Sequence, residues 1–133
     1  MTFKIHTVDD GRIPPFEKLP CAAIIPKVGM ALYFASGRLT TASGANQATH
    51  ICMEEHAAAV TAGRMIHVIK IQPDIVFESQ LAAAGALVVG TAYEVATGGM
   101  TVAAATTNAN FKLDYVGGAA AGDTVRGRFI NLA

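Results

Sequence analysis

The stretch GMALYFASGRLTTASG, Gly29 to Gly44, sets apolar and aromatic residues on either side of a Ser36-Gly37 pair. Leu32-Tyr33-Phe34 and Arg38-Leu39-Thr40-Thr41 have the side chains that suit a pleated, half-buried surface, and a Ser-Gly pair between them is a short-loop hairpin signal. Further along, the chain reads GTAYEVATGGMTVAAA, Gly90 to Ala105. Aligning Val28 with Val89 brings Gly29 onto Gly90, Ala31 onto Ala92, Ala35 onto Ala96, Gly37 onto Gly98, Thr40 onto Thr101 and Ala42 onto Ala103. The closing ends match too: Ala62-Gly63 before Met65 to Ile71 resembles Ala121-Gly122 before Thr124 to Ile130. Each copy reads as a hairpin, a further strand, an Ala-Gly turn and a closing strand. Coincident glycines weigh most, because glycine marks backbone that other residues adopt poorly.

One hairpin unit cannot bury its apolar face alone, whereas two can share a core and shield their edges. Working outward, Thr49 to Met53, the alternating Met65 to Ile71, Ile75 to Glu78, Phe111 to Val116 and Thr124 to Ile130 add short strands between turn signals. Glu54 to Val60 reads as the start of a helical turn or as an Ala-rich loop, ended in either case by Gly63, and a single helical turn is expected at Ser79 to Gly85. The expected fold is therefore all-β: a small single-domain β-barrel or sandwich built from two pseudo-repeated hairpin units, residues 27–133. Residues 1–26 are set apart as an extended N-terminal arm, because Pro14, Pro15, Pro20 and Pro26 remove ladder donors and an Asp9-Asp10-Gly11 turn interrupts them. The arm is expected to dock on a neighbour, with Phe3, Ile5, Ile13 and Phe16 as its apolar anchors.

A chain of 133 residues can bury one proper core without disulfides or metal. Its 10 basic and 10 acidic residues cancel, which leaves no field to collect a polyanion, so nucleic acid is not an expected partner. Few charges and no net charge favour association. The longest uncharged runs are broken by Thr, Gly and Asn, so no membrane partner is expected, and the first residues do not read as a signal peptide. Cys21 and Cys52 stand far apart without a CxxC pattern and read as buried small apolar residues in a reducing compartment.

The most chemical-looking segment is His50-Ile51-Cys52-Met53-Glu54-Glu55-His56. A strand would put His50, Cys52 and Glu54 on one face, but a structural zinc site takes four ligands in paired clusters and no second Cys/His pair exists. A nucleophile and base drawn from Cys52, His56 and His67 lacks any supporting context. Asp9-Asp10 and Glu54-Glu55 read as solvated, and the Gly-Gly pairs as turns. No catalytic residue, metal or cofactor is expected. Arg126 and Arg128 share one face of the last strand, either to meet a partner's carboxylates or to defend an exposed edge.

The segments ALYFASGRLTTASG, THICMEEHAAAVTAGRMIHVIKI, QPDIVFES and AAAGDTVRGRF together resemble the small capsid decoration, or cement, proteins of tailed bacteriophages over roughly residues 27–130. The resemblance implies a structural virion protein on the outer capsid surface, made in the host cytoplasm. Its implied partners are the major capsid protein and sister copies of itself, in a homo-oligomer with a trimer preferred. A small hydrolase or metalloenzyme with its site at a subunit interface, and a tail or receptor-binding module, are the alternatives.

Overall fold

The computed structural model describes residues 2–44 and 46–130; the end of the expected domain, 131–133, lies outside them, as does Met1. Ten strands follow in order: β1 Lys4–Val8, β2 Phe16–Pro20, β3 Ala31–Ala35, β4 Arg38–Thr41, β5 His50–Cys52, β6 Met65–Lys70, β7 Ile75–Gln80, β8 Ala92–Tyr93, β9 Phe111–Val116 and β10 Thr124–Phe129. They form two five-stranded antiparallel sheets, β1-β7-β10-β9-β8 and β2-β6-β5-β3-β4, packed as a small sandwich. The sheets do not close into a barrel. There is no helix among the described residues. In place of the turn expected at Ser79 to Gly85, Ser79 and Gln80 end β7, Leu81 makes an isolated bridge to Val102 and the rest is irregular; Glu54 to Val60 is irregular, the loop of its two readings. Ser79 is fully buried in the β7–β10 ladder and Leu81 is buried at its bridge to Val102, so extended backbone wins over a helical turn there.

The internal repeat is reproduced in the strand register. Leu32 lies opposite His50 as Tyr93 lies opposite Phe111, and Cys52 opposite Val68 as Leu113 opposite Gly127. The correspondence extends beyond the expected unit, since Leu19 opposite Ile66 matches Ser79 opposite Val125. It even includes the isolated parallel bridges Cys21 to Leu39 and Leu81 to Val102, which tie the first strand of each unit to its far hairpin. β2 and β7 are therefore equivalent opening strands, and the units run from β2 to β6 and from β7 to β10. The hairpin loops differ by two residues, so Leu39 takes the place of Val102 and the expected equivalences of Gly37 with Gly98, Thr40 with Thr101 and Ala42 with Ala103 are not kept. Ser36 and Gly37 both have positive φ, 51° and 78°, the two-residue type I′ turn suited to strand twist. The second hairpin closes on a longer loop, with Gly99 N–H donating to Ala96 C=O and Ala96 N–H donating to Thr101 C=O.

The N-terminal arm is corrected by this topology. β1 pairs antiparallel with β7, and β2 pairs antiparallel with β6, so residues 4–20 supply one edge strand to each sheet. The prolines are compatible with this because Pro14 and Pro15 lie in the connection and Pro20 ends an edge strand, where a missing donor leaves no ladder group unpaired.

The units do not pack as a two-fold pair. In the second unit, Phe77, Leu113, Val125 and Phe129 point into the main core while Lys112 and Arg128 point away. In the first, Cys52, Ile66 and Val68 fill a smaller core of their own, and the opposite face, with Ile51, Ile69 and Ile71, packs into the main core. By register Ile51 and Ile69 are the counterparts of Lys112 and Arg128. One unit thus lays its back on the other's inner face.

Candidate functional site

Of the four expected apolar anchors, Phe3 is overturned as a docking residue: it is 1% exposed and sits in the main core. Its ring stands edge-on to Phe111 at 5.2 Å and tilted against Phe129 at 5.4 Å. A side chain in that position lowers the free energy of its own fold and has no surface to offer a partner. The segment reaches this position over Gly29. Phe3 N–H donates to Gly29 C=O at 3.1 Å and the Thr2 hydroxyl donates to Val28 C=O at 2.8 Å. A Cβ on Gly29 would lie 1.5 Å from Thr2 Oγ1, so glycine is required there for close approach as well as for its φ of 85°.

The other three anchors remain at the surface. Ile5 on β1 is 37% exposed, Ile13 in the connection 88% and Phe16 at the start of β2 55%. With Pro15, also exposed, the last two make a short apolar ridge ahead of an edge strand. The connection that carries the ridge is held down at its start, where Asp9 N–H donates to Asp74 C=O and Gly11 N–H to Val8 C=O. A groove of about 310 Å³ opens beside it, lined by Val8, Arg12, Ile13, Pro15, Glu17 and Lys70 among others.

Arg126 and Arg128 do share one face of β10, but that strand lies between β7 and β9 and is not an edge. Both are engaged within the chain. Arg126 Nε donates to Glu78 at 2.9 Å, its guanidinium lies 4.7 Å over the Tyr115 ring, and Lys4 of β1 reaches the same carboxylate at 3.1 Å. Arg128 grips Asp9 through both terminal nitrogens at 2.8 Å and lies 3.6 Å from Asp114. These contacts hold Glu78 and Asp9 below the usual carboxylate range, through Arg126 first for Glu78 and Arg128 first for Asp9. Planar forks facing carboxylates are the stronger class of charge-assisted hydrogen bond. Arg128 therefore fastens the turn after β1 to the sheet, while Glu78 receives Arg126 from β10 and Lys4 from β1.

The heptapeptide from His50 to His56 does not converge as a strand face would suggest. His50 is buried and its Nδ1 is 2.9 Å from the Thr49 hydroxyl, while burial lowers its pKa. Cys52 donates its thiol to Glu54 C=O at 3.2 Å, and burial raises the thiol pKa. Cys21 is buried as well. Glu54 turns outward, where it accepts from His56 Nε2, from His67 Nδ1 at 2.9 Å and from the His67 backbone N–H at 3.1 Å. Those bonds, His56 first, bring Glu54 from an ordinary 4.5 to about 2. With both histidines directed at one carboxylate, the arrangement is a pin that ties the loop after β5 to β6. Among the described residues no group of three His, Cys, Asp or Glu side chains is placed to hold a metal ion.

One surface feature was missed at the level of sequence. Val28 and Val89, with Val88, are exposed at equivalent turns, where Met30 N–H donates to Lys27 C=O and Thr91 N–H to Val88 C=O. The sequence carries the signal, since the alignment of the two copies begins on Val28 and Val89.

Comparison of the chain with protein-family models and with characterised proteins finds no match.

Proposed function

We propose that this protein is a structural, non-enzymatic component of a tailed-bacteriophage virion, which binds the outside of the assembled capsid shell beside sister copies of itself and stabilises the shell. The observation that carries this reading is the exposed apolar ridge Ile13 to Phe16 on a scaffold whose arginines at β10 are engaged internally. A surface of that kind gains from burial against another protein and has little field for a polyanion. The resemblance of the repeated hairpins and the closing AAAGDTVRGRF segment to capsid decoration proteins supplies the partner class. A shell presents many binding positions at fixed spacing, so modest contacts per copy suffice once neighbouring copies also touch.

The test is cosedimentation with expanded shells and, in parallel, with dissociated major capsid subunits. The protein is expected to pellet with shells and to bind free subunits weakly. Shells carrying it should release their contents at a higher temperature than bare shells, because a ligand of the assembled state stabilises that state. Equal binding to shells and free subunits overturns the proposal, as does unchanged shell stability at saturation.

A further inference from the structure

The two units also differ at the outer edge of their opening strands. The outer edge of β7 is covered by β1, with Lys4 opposite Glu78 and Thr7 opposite Val76. β2 is the counterpart of β7, yet it is the terminal strand of its sheet. Cys21 N–H donates to Arg64 C=O and Gly63 N–H to Cys21 C=O, so Cys21 turns toward β6; by alternation Leu19 and Glu17 do as well. Phe16 and Lys18 therefore direct their N–H and C=O groups outward, and among the described residues neither has a backbone partner beyond the β2–β6 ladder. They are the counterparts of Val76 and Glu78, the positions that β1 fills in the other unit.

The geometry points to the outer edge of β2 as an acceptor for one extended segment of another protein, paired antiparallel with Phe16 and Lys18 and carrying a carboxylate opposite Lys18. The charge follows from the repeat: Glu78 is faced by a lysine, and its counterpart is itself a lysine. Opposite charges directly across an antiparallel pair stabilise it and like charges weaken it. The same rule disfavours β2 of a second copy. Registers that use both free residues set Glu17 against Glu17 or Lys18 against Lys18, and the register centred on Phe16 sets Lys18 against Pro14, which has no N–H. The groove lined by Ile13, Pro15 and Glu17 opens at the same end of β2 and offers room to a side chain of the incoming segment. The inference stands independently of the shell reading, since it concerns the form and charge of the segment and not its source.

The test uses the full chain and two peptides spanning residues 2–9, one unchanged and one carrying Lys4→Glu, titrated while backbone amide exchange is followed. The substituted peptide is expected to slow exchange at Phe16 and Lys18 and to bind about three- to tenfold more tightly than the unchanged one, the range that opposed charges across strands supply. In a Lys18→Glu variant the preference should reverse. Protection of neither amide by either peptide overturns the proposal, as does a preference that Lys18→Glu leaves unchanged. Protection that grows with protein concentration in the absence of peptide overturns it in favour of self-pairing.

Discussion

At the scale of single residues, an aromatic ring near a chain end can be an anchor for a partner or a part of the core, and Phe3 is the latter. Removing its ring leaves a void against Phe111 and Phe129 that strands cannot collapse into without breaking the β1–β7 ladder. Phe3→Ala is therefore expected to cost about 3 to 5 kcal/mol in urea unfolding, whereas Ile13→Ala, at a fully solvated position, should change stability by less than about 0.5 kcal/mol. Glu54 provides a second test. Its folded pKa lies near 2, below the ordinary 4.5, so its bonds to His56 and His67 stabilise the fold above about 4.5 and are lost as the pH falls from there toward 2. Glu54→Gln cannot titrate. The variant should be less stable near neutrality by on the order of 1 to 2 kcal/mol, and should show a shallower loss of stability across that acid window than the parent chain. An identical acid slope in both would remove Glu54 from the account.

At the scale of elements, two equivalent turns separate backbone strain from close packing. Gly29 and Gly90 both have strongly positive φ, 85° and 90°, and each leads into the first strand of its hairpin, β3 or β8. At Gly90 an added Cβ meets nothing within 4 Å, but at Gly29 it enters Thr2 and the Phe3 carbonyl. Gly90→Ala should cost only the strain of a left-handed alanine, about 1 kcal/mol. Gly29→Ala should cost at least about 2 kcal/mol more, because it also displaces the segment that seats Phe3. Exchange at the β1 amides should rise in the Gly29 variant alone. In the sequence, Asp9-Asp10-Gly11 and Pro14-Pro15 separate β1 from any periodic run and give residues 1–26 the look of an arm. Those residues do break the strand, but they break it between β1 and β2, at the crossing from one sheet to the other.

At the scale of the whole molecule, two copies of one topology stay together because their outward faces differ in chemistry. Ile69 lies in the shared core, and the register gives it Arg128 as counterpart on the solvated back of the second unit. Writing the counterpart into the first unit, as Ile69→Arg, buries an unpaired charge between the sheets. We expect a loss of about 4 kcal/mol or more and a chain that no longer unfolds in a single transition, as read by calorimetry and by near-ultraviolet circular dichroism. An Ile69→Arg variant with unchanged unfolding would mean that the units do not share a core through that face.

The sequence by itself determined the strand chemistry, the all-β class and the repeat, because these depend on alternation, β-branched side chains and glycines at fixed offsets, all local properties of the chain. It also carried the missed opening strand, since Ala22-Ala23 after β2 stand where Ala82-Ala83 follow β7. Ile13 and Phe16, expected as apolar anchors of an arm, are exposed, but Phe16 is at the same time the first residue of the β2–β6 ladder, which its flanking prolines did not announce. Tertiary structure alone decided that Phe3 belongs to the core, that Arg128 fastens the turn after β1 while Arg126 shares Glu78 with Lys4, and that β7 is covered while β2 is open. Each of those outcomes joins residues distant in sequence, Asp9 to Arg128 or Phe3 to Phe111, and no local pattern specifies which of two equivalent edges a strand will choose. That choice is made by the partners waiting across the gap: Glu78 and the Phe111–Phe129 surface attract Lys4 and Phe3, and their counterparts Lys18, His50 and Lys70 do not.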